Sequence, residues 1–386
     1  MSLVASRLGL GLTPFFFAAC SVLIDSGQSA GGGGDGGLAN SLPPPDLVDC
    51  GDPTHSTEDP CRTIDTLQPG AVGSGLALAW RSEFGDPRLD VVGGAVHGGE
   101  LYLAVRRNDP TGEGGIMAVD VESGARRLVS GQLSVMGGTM AGVGSGNGFQ
   151  GLSGVGVSSG GNVFALLLPE FTGFSGFMLD IGADGNRTTR SIGTDCAATL
   201  PSDLVIQDSS LPALLPDSSF YLVAQNIQSE WLVRINGEQC ELLDTIPLQA
   251  AVESMAWSAG EVWMVDVYGS SLLAYDTVSG KSRLVAAPTS GSPGLEENPI
   301  GSGGLAVGNV VFGAGGEIFN RFRLVEVNRA TGSRRVLPSE VGPARSVPKT
   351  RQLVFLHPTR AALLLVIDGA VVVYDPKSGN NNVLSY

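Results

Sequence analysis

Helical periodicity is missing from this chain, since no segment spaces its apolar residues at three and four, and that argues against a helical architecture. Charge is scarce, at 16% of residues, and positive charge is scarcer, with 23 Lys and Arg against 38 Asp and Glu. The net charge of −15 repels phosphate backbones and anionic lipid heads, so no nucleic-acid partner is expected. Cysteine occurs five times and never as CxxC, and only three histidines are present, so a zinc site lacks its usual ligand spacing. The apolar run from Leu8 to Ala19 is too short to cross a bilayer.

What is abundant is glycine, 56 of 386 residues, beside 42% apolar residues. Glycine supplies the positive φ angles of tight turns and weakens helices, so the mixture suits many short strands. The length allows one large domain or two ordinary ones.

The first residues, MSLVASRLGLGLTPFFFAAC, carry one positive charge, Arg7, ahead of the apolar run, which is the form of a secretory signal. The run ends in Phe17-Ala18-Ala19-Cys20, which resembles the lipobox of bacterial lipoproteins, with Phe17 where that family has an aliphatic residue. The resemblance implies a signal peptide over 1–19, a diacylglyceryl group on Cys20, and, from Ser21 in place of Asp, an outer-membrane address in the cell envelope. Cleavage at Ala19 without lipidation would leave a secreted or periplasmic protein. Residues 20–48 are rich in Gly and Pro and form a tether, of which about 23 flexible residues span roughly 25 to 30 Å. Residues 49–87 form a Cys-containing lead-in with a possible closing strand, and 88–386 the main domain.

Four cysteines remain for an oxidising compartment, which gives two disulfides. Cys50 and Cys61 flank the turn-rich GDPTHSTEDP, where a bridge closing about 12 residues contributes roughly 3 kcal/mol. Cys196 and Cys240 then pair by elimination.

A pattern recurs along the main domain: IMAVDVESGARRLV from 116, LLAYDTVSGKSRLV from 272, LVEVNRATGSRRVL from 324 and VVVYDPKSGNNNVL from 371. Aligned on its glycine it appears six times, at Gly124, Gly185, Gly237, Gly280, Gly332 and Gly379, at intervals of roughly 43 to 61 residues, the range of propeller blades. Asp120, Asp276, Asn328 and Asp375 are placed to accept backbone N–H bonds in an Asx-type turn that the Gly closes in the left-handed region. Asp368-Gly369 between two apolar runs is a hairpin signal.

Each copy holds four short apolar runs. The first is rich in small residues, as in GGAVHGG from 93, GVGVSSGG from 154 and GGLAVG from 303, which suits strands crowded about an axis. The last carries arginines that guard a sheet edge. The expectation is an all-β, six-bladed β-propeller of four-stranded antiparallel blades. LALAWRSE, 76–83, either adds to an edge of the first or last blade and fastens the ring, or seeds a seventh blade.

The inner-run pattern, apolar-Ala-Val then Gly, joined to the Asp-x-x-Ser/Thr-Gly hairpin, resembles six-bladed propellers of the NHL, TolB-like and gluconolactonase-like group. Quinoprotein blades carry a Trp after Thr-Gly-Lys, where this chain has Arg127, Arg283 and Arg335, so pyrroloquinoline quinone is not expected. No other cofactor is expected either.

Two motifs are read as structural. GNGFQG, 146–151, matches GxGxxG but is flanked by glycine instead of strand and helix. GVSSG, 156–160, matches GxSxG but reads as strand and turn, so Ser158 is not taken as a nucleophile. His97 and His357 both follow inner runs of copies that ring closure makes neighbours, and they are the candidate ligands on the channel face. No catalytic residue and no metal ligand is assigned. The functional expectation is a monomeric, lipid-anchored extracytoplasmic propeller that binds a protein or glycan through its longer loops, 131–152, 193–218 and 286–302. The alternative is a lactonase or esterase using the central channel, with calcium held by carboxylates such as Asp208, Glu253 and Asp266.

Overall fold

The structure, a computed structural model, describes residues 70–80, 89–107, 113–136, 139–168, 176–206, 212–226, 229–246, 252–266, 271–286, 300–308, 310–315, 323–337, 353–367 and 369–386. The expectations placed on Cys20, the tether, Cys50 and Cys61 lie outside the described residues. So does the loop over 287–299. Among the described residues, no helix is long and apolar enough to cross a membrane.

Among the described residues the fold is all-β apart from one helical turn. The first sheet holds β1 (Leu89–His97), β2 (Glu100–Arg107), β3 (Gly114–Asp120), β4 (Arg126–Ser134) and β5 (Met140–Val143). The second holds β6 (Leu152–Val157), β7 (Val163–Leu167), β8 (Gly176–Ile181) and β9 (Arg187–Ile192), and is followed by α1 (Cys196–Thr199). The third contains β10 (Val205–Ile206), β11 (Ala213–Leu214), β12 (Phe220–Gln225), β13 (Glu230–Asn236) and β14 (Gln239–Ile246). The fourth has β15 (Val252–Ser258), β16 (Glu261–Asp266), β17 (Ser271–Asp276) and β18 (Lys281–Ala286). The fifth has β19 (Ile300–Val307), β20 (Val310–Gly315), β21 (Arg323–Asn328) and β22 (Arg334–Val336), and the last β23 (Leu353–Leu356), β24 (Leu363–Ile367), β25 (Ala370–Tyr374) and β26 (Asn381–Ser385). Strands pair antiparallel in each sheet, and the innermost ones touch around a circle, β1 on β6, β6 on β11, β11 on β15, β15 on β19, β19 on β23 and β23 on β1. This is a β-propeller.

The blade count corrects the sequence. Among the described residues five of these six sheets count as blades, where six, or seven, blades were expected. The third sheet is where regularity fails: its inner position is split between β10 and β11, two residues each, which pair with opposite ends of β12. Pro212 stands immediately before β11 and cannot donate to a ladder. The repeated glycine marks the turn between the two outer strands, so it registers an outer hairpin even where the inner strand is broken. Among the described residues, 76–80 form no blade of their own and join the first sheet through the Leu78 bridge and backbone bonds at Leu76, Ala77 and Ala79.

The turn itself is as the sequence implies. Asp120 Oδ1 accepts the N–H groups of Glu122 and Ser123 at 3.1 and 2.7 Å, and Asp276 Oδ1 those of Val278 and Ser279 at 2.8 and 2.9 Å. Asn328 and Asp375 repeat the contact with Ala330 and Lys377 at 3.0 and 2.9 Å. Gly124, Gly280, Gly332 and Gly379 follow at φ of 70°, 68°, 69° and 80°. Ile367 pairs with Ala370 across the hairpin expected at residues 368–369.

Small residues on the inner strands have a steric reason. A Cβ on Gly93 would stand 2.9 Å from the Gly154 Cα of the next sheet, and one on Gly94 would stand 2.7 Å from the Phe355 ring.

Residues 70–80 bind the seam between the last sheet and the first. The Gly70 N–H donates to the Tyr386 carbonyl, and the Tyr386 N–H donates to Val72 O at 3.2 Å. On the other side, Gly75 bridges Arg126 in parallel and Leu78 bridges Val135 antiparallel. Leu78 and Trp80 join a core that also holds Leu103, Met117, Leu365 and Val372 of both sheets. Each such side chain contributes about 1.5 to 3 kcal/mol by burial.

The outer arginines do more than guard an edge. Arg127 on β4 reaches across the blade to both oxygens of Glu100 on β2, at 2.8 and 2.7 Å, and Arg283 on β18 reaches Glu261 on β16 at 2.8 Å. Burial pushes the Tyr102 phenol up to about 12, helped by its bond to Glu100. Arg126, beside Arg127, turns inward instead and donates to the Tyr386 carbonyl.

Candidate functional site: the axial cavity

The inner strands enclose a cavity of about 260 Å3 on the propeller axis. Residues 92–95 of β1, 153–157 of β6, 212–216 around β11, 255–257 of β15, Leu305 of β19 and 353–355 of β23 line it. The lining is small along β1 and β6, where Gly93, Gly94, Gly154 and Gly156 lie, and bulky along β15, β19 and β23, where Met255, Trp257, Leu305 and Phe355 lie, the Phe355 ring adjoining Gly94. None of the described lining residues is ionisable. Ser153 and Trp257 carry the polar side-chain atoms, and the Ser153 hydroxyl donates to the Gly151 carbonyl at 3.0 Å.

The cavity also has a backbone character. Each continuous inner strand pairs on one edge only, with the second strand of its own sheet. Its other edge turns N–H and C=O groups toward the axis, where water or a ligand must satisfy them.

The histidines are not part of this site. His97, half-buried at the end of β1, leans toward the β6–β7 turn, where a Cβ on Gly161 would lie 3.5 Å from its Nε2. His357 is buried at 5% exposure, and its Nδ1 accepts the Thr359 N–H at 3.3 Å. They occupy corresponding ends of neighbouring inner strands, each engaged with its own surroundings, and neither lines the cavity.

The two motifs fall on a turn and a loop. Ser158 closes the β6–β7 turn, its Oγ accepting the Asn162 N–H at 3.0 Å. In the segment 146–151, Phe149 is buried and lies 5.2 Å under the Arg187 guanidinium, which also donates to Asn147 O at 2.6 Å. The loop read over 131–152 is partly strand, since β5 adds a fifth strand to β4. The stretch 193–218 contains α1, β10 and β11, and the Cys196–Cys240 disulfide ties α1 to β14.

Asp208 and the side chains of Glu253 and Asp266 lie outside what is described. Among the described residues no three His, Cys, Asp or Glu side chains come together as metal ligands. The residues that sequence reasoning passed over are Met255 and Trp257. Their signal was the inner run SMAWSA, which departs from the small-residue habit of the runs from 93, 154 and 303.

No family model matches the chain, and no curated protein does. Solved structures do resemble it in fold. The periplasmic gluconolactonase of Pseudomonas aeruginosa is 14% identical, over 77% of this chain and 84% of that one, with a TM-score of 0.43. A putative 6-phosphogluconolactonase from Bacteroides uniformis is 13% identical, over 81% and 86%, with a TM-score of 0.43. Virginiamycin B lyase from Staphylococcus aureus is 12% identical, over 72% and 92%, with a TM-score of 0.40. What those proteins act on stays with them.

Proposed function

We propose that this propeller is a binding module of the bacterial cell envelope, held to the outer membrane by lipid on Cys20 and engaging a protein or glycan partner as a monomer. One observation carries the reading: the axial cavity is walled by apolar side chains, glycines and strand-edge amides, with no ionisable group among its described residues. Such walls hold a ligand, whereas hydrolysis at the axis needs a positioned base, nucleophile or set of oxygen ligands.

The test immobilises residues 49–386 and offers them envelope proteins and a glycan array, beside a variant lacking 286–302. Partner capture by the first and its loss in a variant that still melts cooperatively are expected. Equal capture by both would remove the assigned surface, and turnover of a lactone panel would replace the reading with the hydrolase alternative.

A further inference from the structure

We infer that the axial cavity receives one uncharged aromatic side chain, presented by a polypeptide partner, with the partner's backbone amides meeting the strand edges around it. The inference rests on the binding-module reading and names the chemistry of what is bound.

Charge decides the first part. A carboxylate, phosphate or ammonium entering the cavity would leave water without meeting an opposite charge among the described lining residues. Burying an unpaired ion costs several kcal/mol, so the occupant is neutral.

Size decides the second. At about 260 Å3 the cavity falls short of the roughly 300 to 1,000 Å3 typical of pockets for drug-sized molecules. One large side chain fills a space of that size, whereas an oligosaccharide would place only one terminal ring in it, which favours a polypeptide of the two partner classes.

The walls decide the third. Trp257 and Phe355 offer ring surface and Met255 a polarisable thioether, the partners that aromatic rings prefer. Beside them, Gly93 and Gly94 let β6 and the Phe355 ring pack closely on β1, and the unpaired edges of β1 and β6 border the cavity. A peptide group arriving with the ring finds donors and acceptors there, as in strand-edge recognition of extended segments.

The probe is N-acetyl-L-phenylalaninamide, which carries the ring between two neutral amides. Binding is read by ligand-observed saturation-transfer NMR and by Trp emission. Phenylacetate and maltotriose are the charged and glycan comparisons. Ala256 lines the cavity, so Ala256→Leu should fill it, and Val278→Ser on the exposed turn between β17 and β18 is the control. The expected result is saturable millimolar binding to wild type and Val278→Ser, at least tenfold weaker in an Ala256→Leu variant whose melting temperature is preserved, and no binding of either comparison compound. If Ala256→Leu misfolds, Trp257→Ala serves instead, with the same tenfold loss expected. Absence of saturable binding to wild type, equal binding of phenylacetate, or indifference to both cavity variants would overturn the inference. Envelope-partner capture that persists while the probe fails would remove this inference alone, whereas probe binding with no capture would count against the binding-module reading instead.

Discussion

The indole of Trp80 rests on Gly369, so closely that a Cβ at position 369 would stand 2.3 Å from its nearest ring atom. One residue belongs to the segment ahead of the propeller and the other to the turn between β24 and β25 of the last sheet, so their contact fastens the ring. Gly369 also sits at φ +81°, where a side chain is strained in its own right.

Gly369→Ala should therefore lower stability by about 2 to 4 kcal/mol, from overpacking and backbone strain together. Trp80→Ala should lower it by about 3 to 5 kcal/mol through the cavity it leaves. The two should not add, because with the indole gone only the strain of about 1 to 2 kcal/mol remains at position 369. Urea unfolding of the two single variants and the double variant checks this.

Asp375 is buried at 3% exposure and accepts from the Lys377 N–H and the Ser378 hydroxyl at 2.9 and 2.6 Å. Asp375→Ala leaves those donors without their acceptor and should lower stability by about 1 to 3 kcal/mol. Asp375→Asn should lie within about 1 kcal/mol of wild type, since Asn328 performs the same role in the preceding sheet at 3.0 Å. Thermal unfolding of the pair separates hydrogen bonding from charge.

Glu261 accepts Arg283 on one oxygen at 2.8 Å and Arg329 on the other at 2.6 Å, and both guanidinium groups lie about 5 Å from the centre of the Trp263 ring. Burial raises the Glu261 carboxyl, but the bonds and charges of the two arginines outweigh it and hold the group below the usual carboxylate range. A depressed value in the folded state means the stabilisation is complete above the unfolded value, about 4.3, and disappears as pH falls through the folded one. Glu261→Gln should be less stable than wild type by about 1 to 3 kcal/mol at pH 7, and the difference should shrink as pH falls below the unfolded value of about 4.3. Denaturant titrations across that window give the comparison. A constant difference down to pH 3 would contradict it.

Cys196 and Cys240 join α1 to β14 across a separation of 44 residues. Reduction, or replacement of both by Ala, should lower stability by about 2 to 4 kcal/mol and should first expose the irregular third sheet. Limited proteolysis with and without reductant should show new cleavage between residues 193 and 218 ahead of the rest of the chain.

The sequence announced the outer half of each sheet and was nearly silent on the inner half. Asp120 to Gly124 and Asp276 to Gly280 are local devices, five residues whose hydrogen bonds close on themselves, so their letters suffice to place the turn. The same is true of Ile367 opposite Ala370. Blade number is different, because it depends on whether a continuous strand forms nearest the axis. Between residues 201 and 216 three prolines, Pro201, Pro212 and Pro216, flank what becomes β10 and β11. The cavity was hidden for a related reason: Val92, Met255 and Phe355 meet only after the circle closes. Nothing near Trp257 in the chain says that it faces an axis.

The bonds joining Gly70, Val72 and Arg126 to Tyr386 have a mechanical consequence. Traction on the chain ahead of residue 70 enters the molecule at the place where its first and last sheets meet. The ring would open there as a bracelet opens at its clasp, peeling away from both ends, and the sheets diametrically opposite would be the last to bear the load.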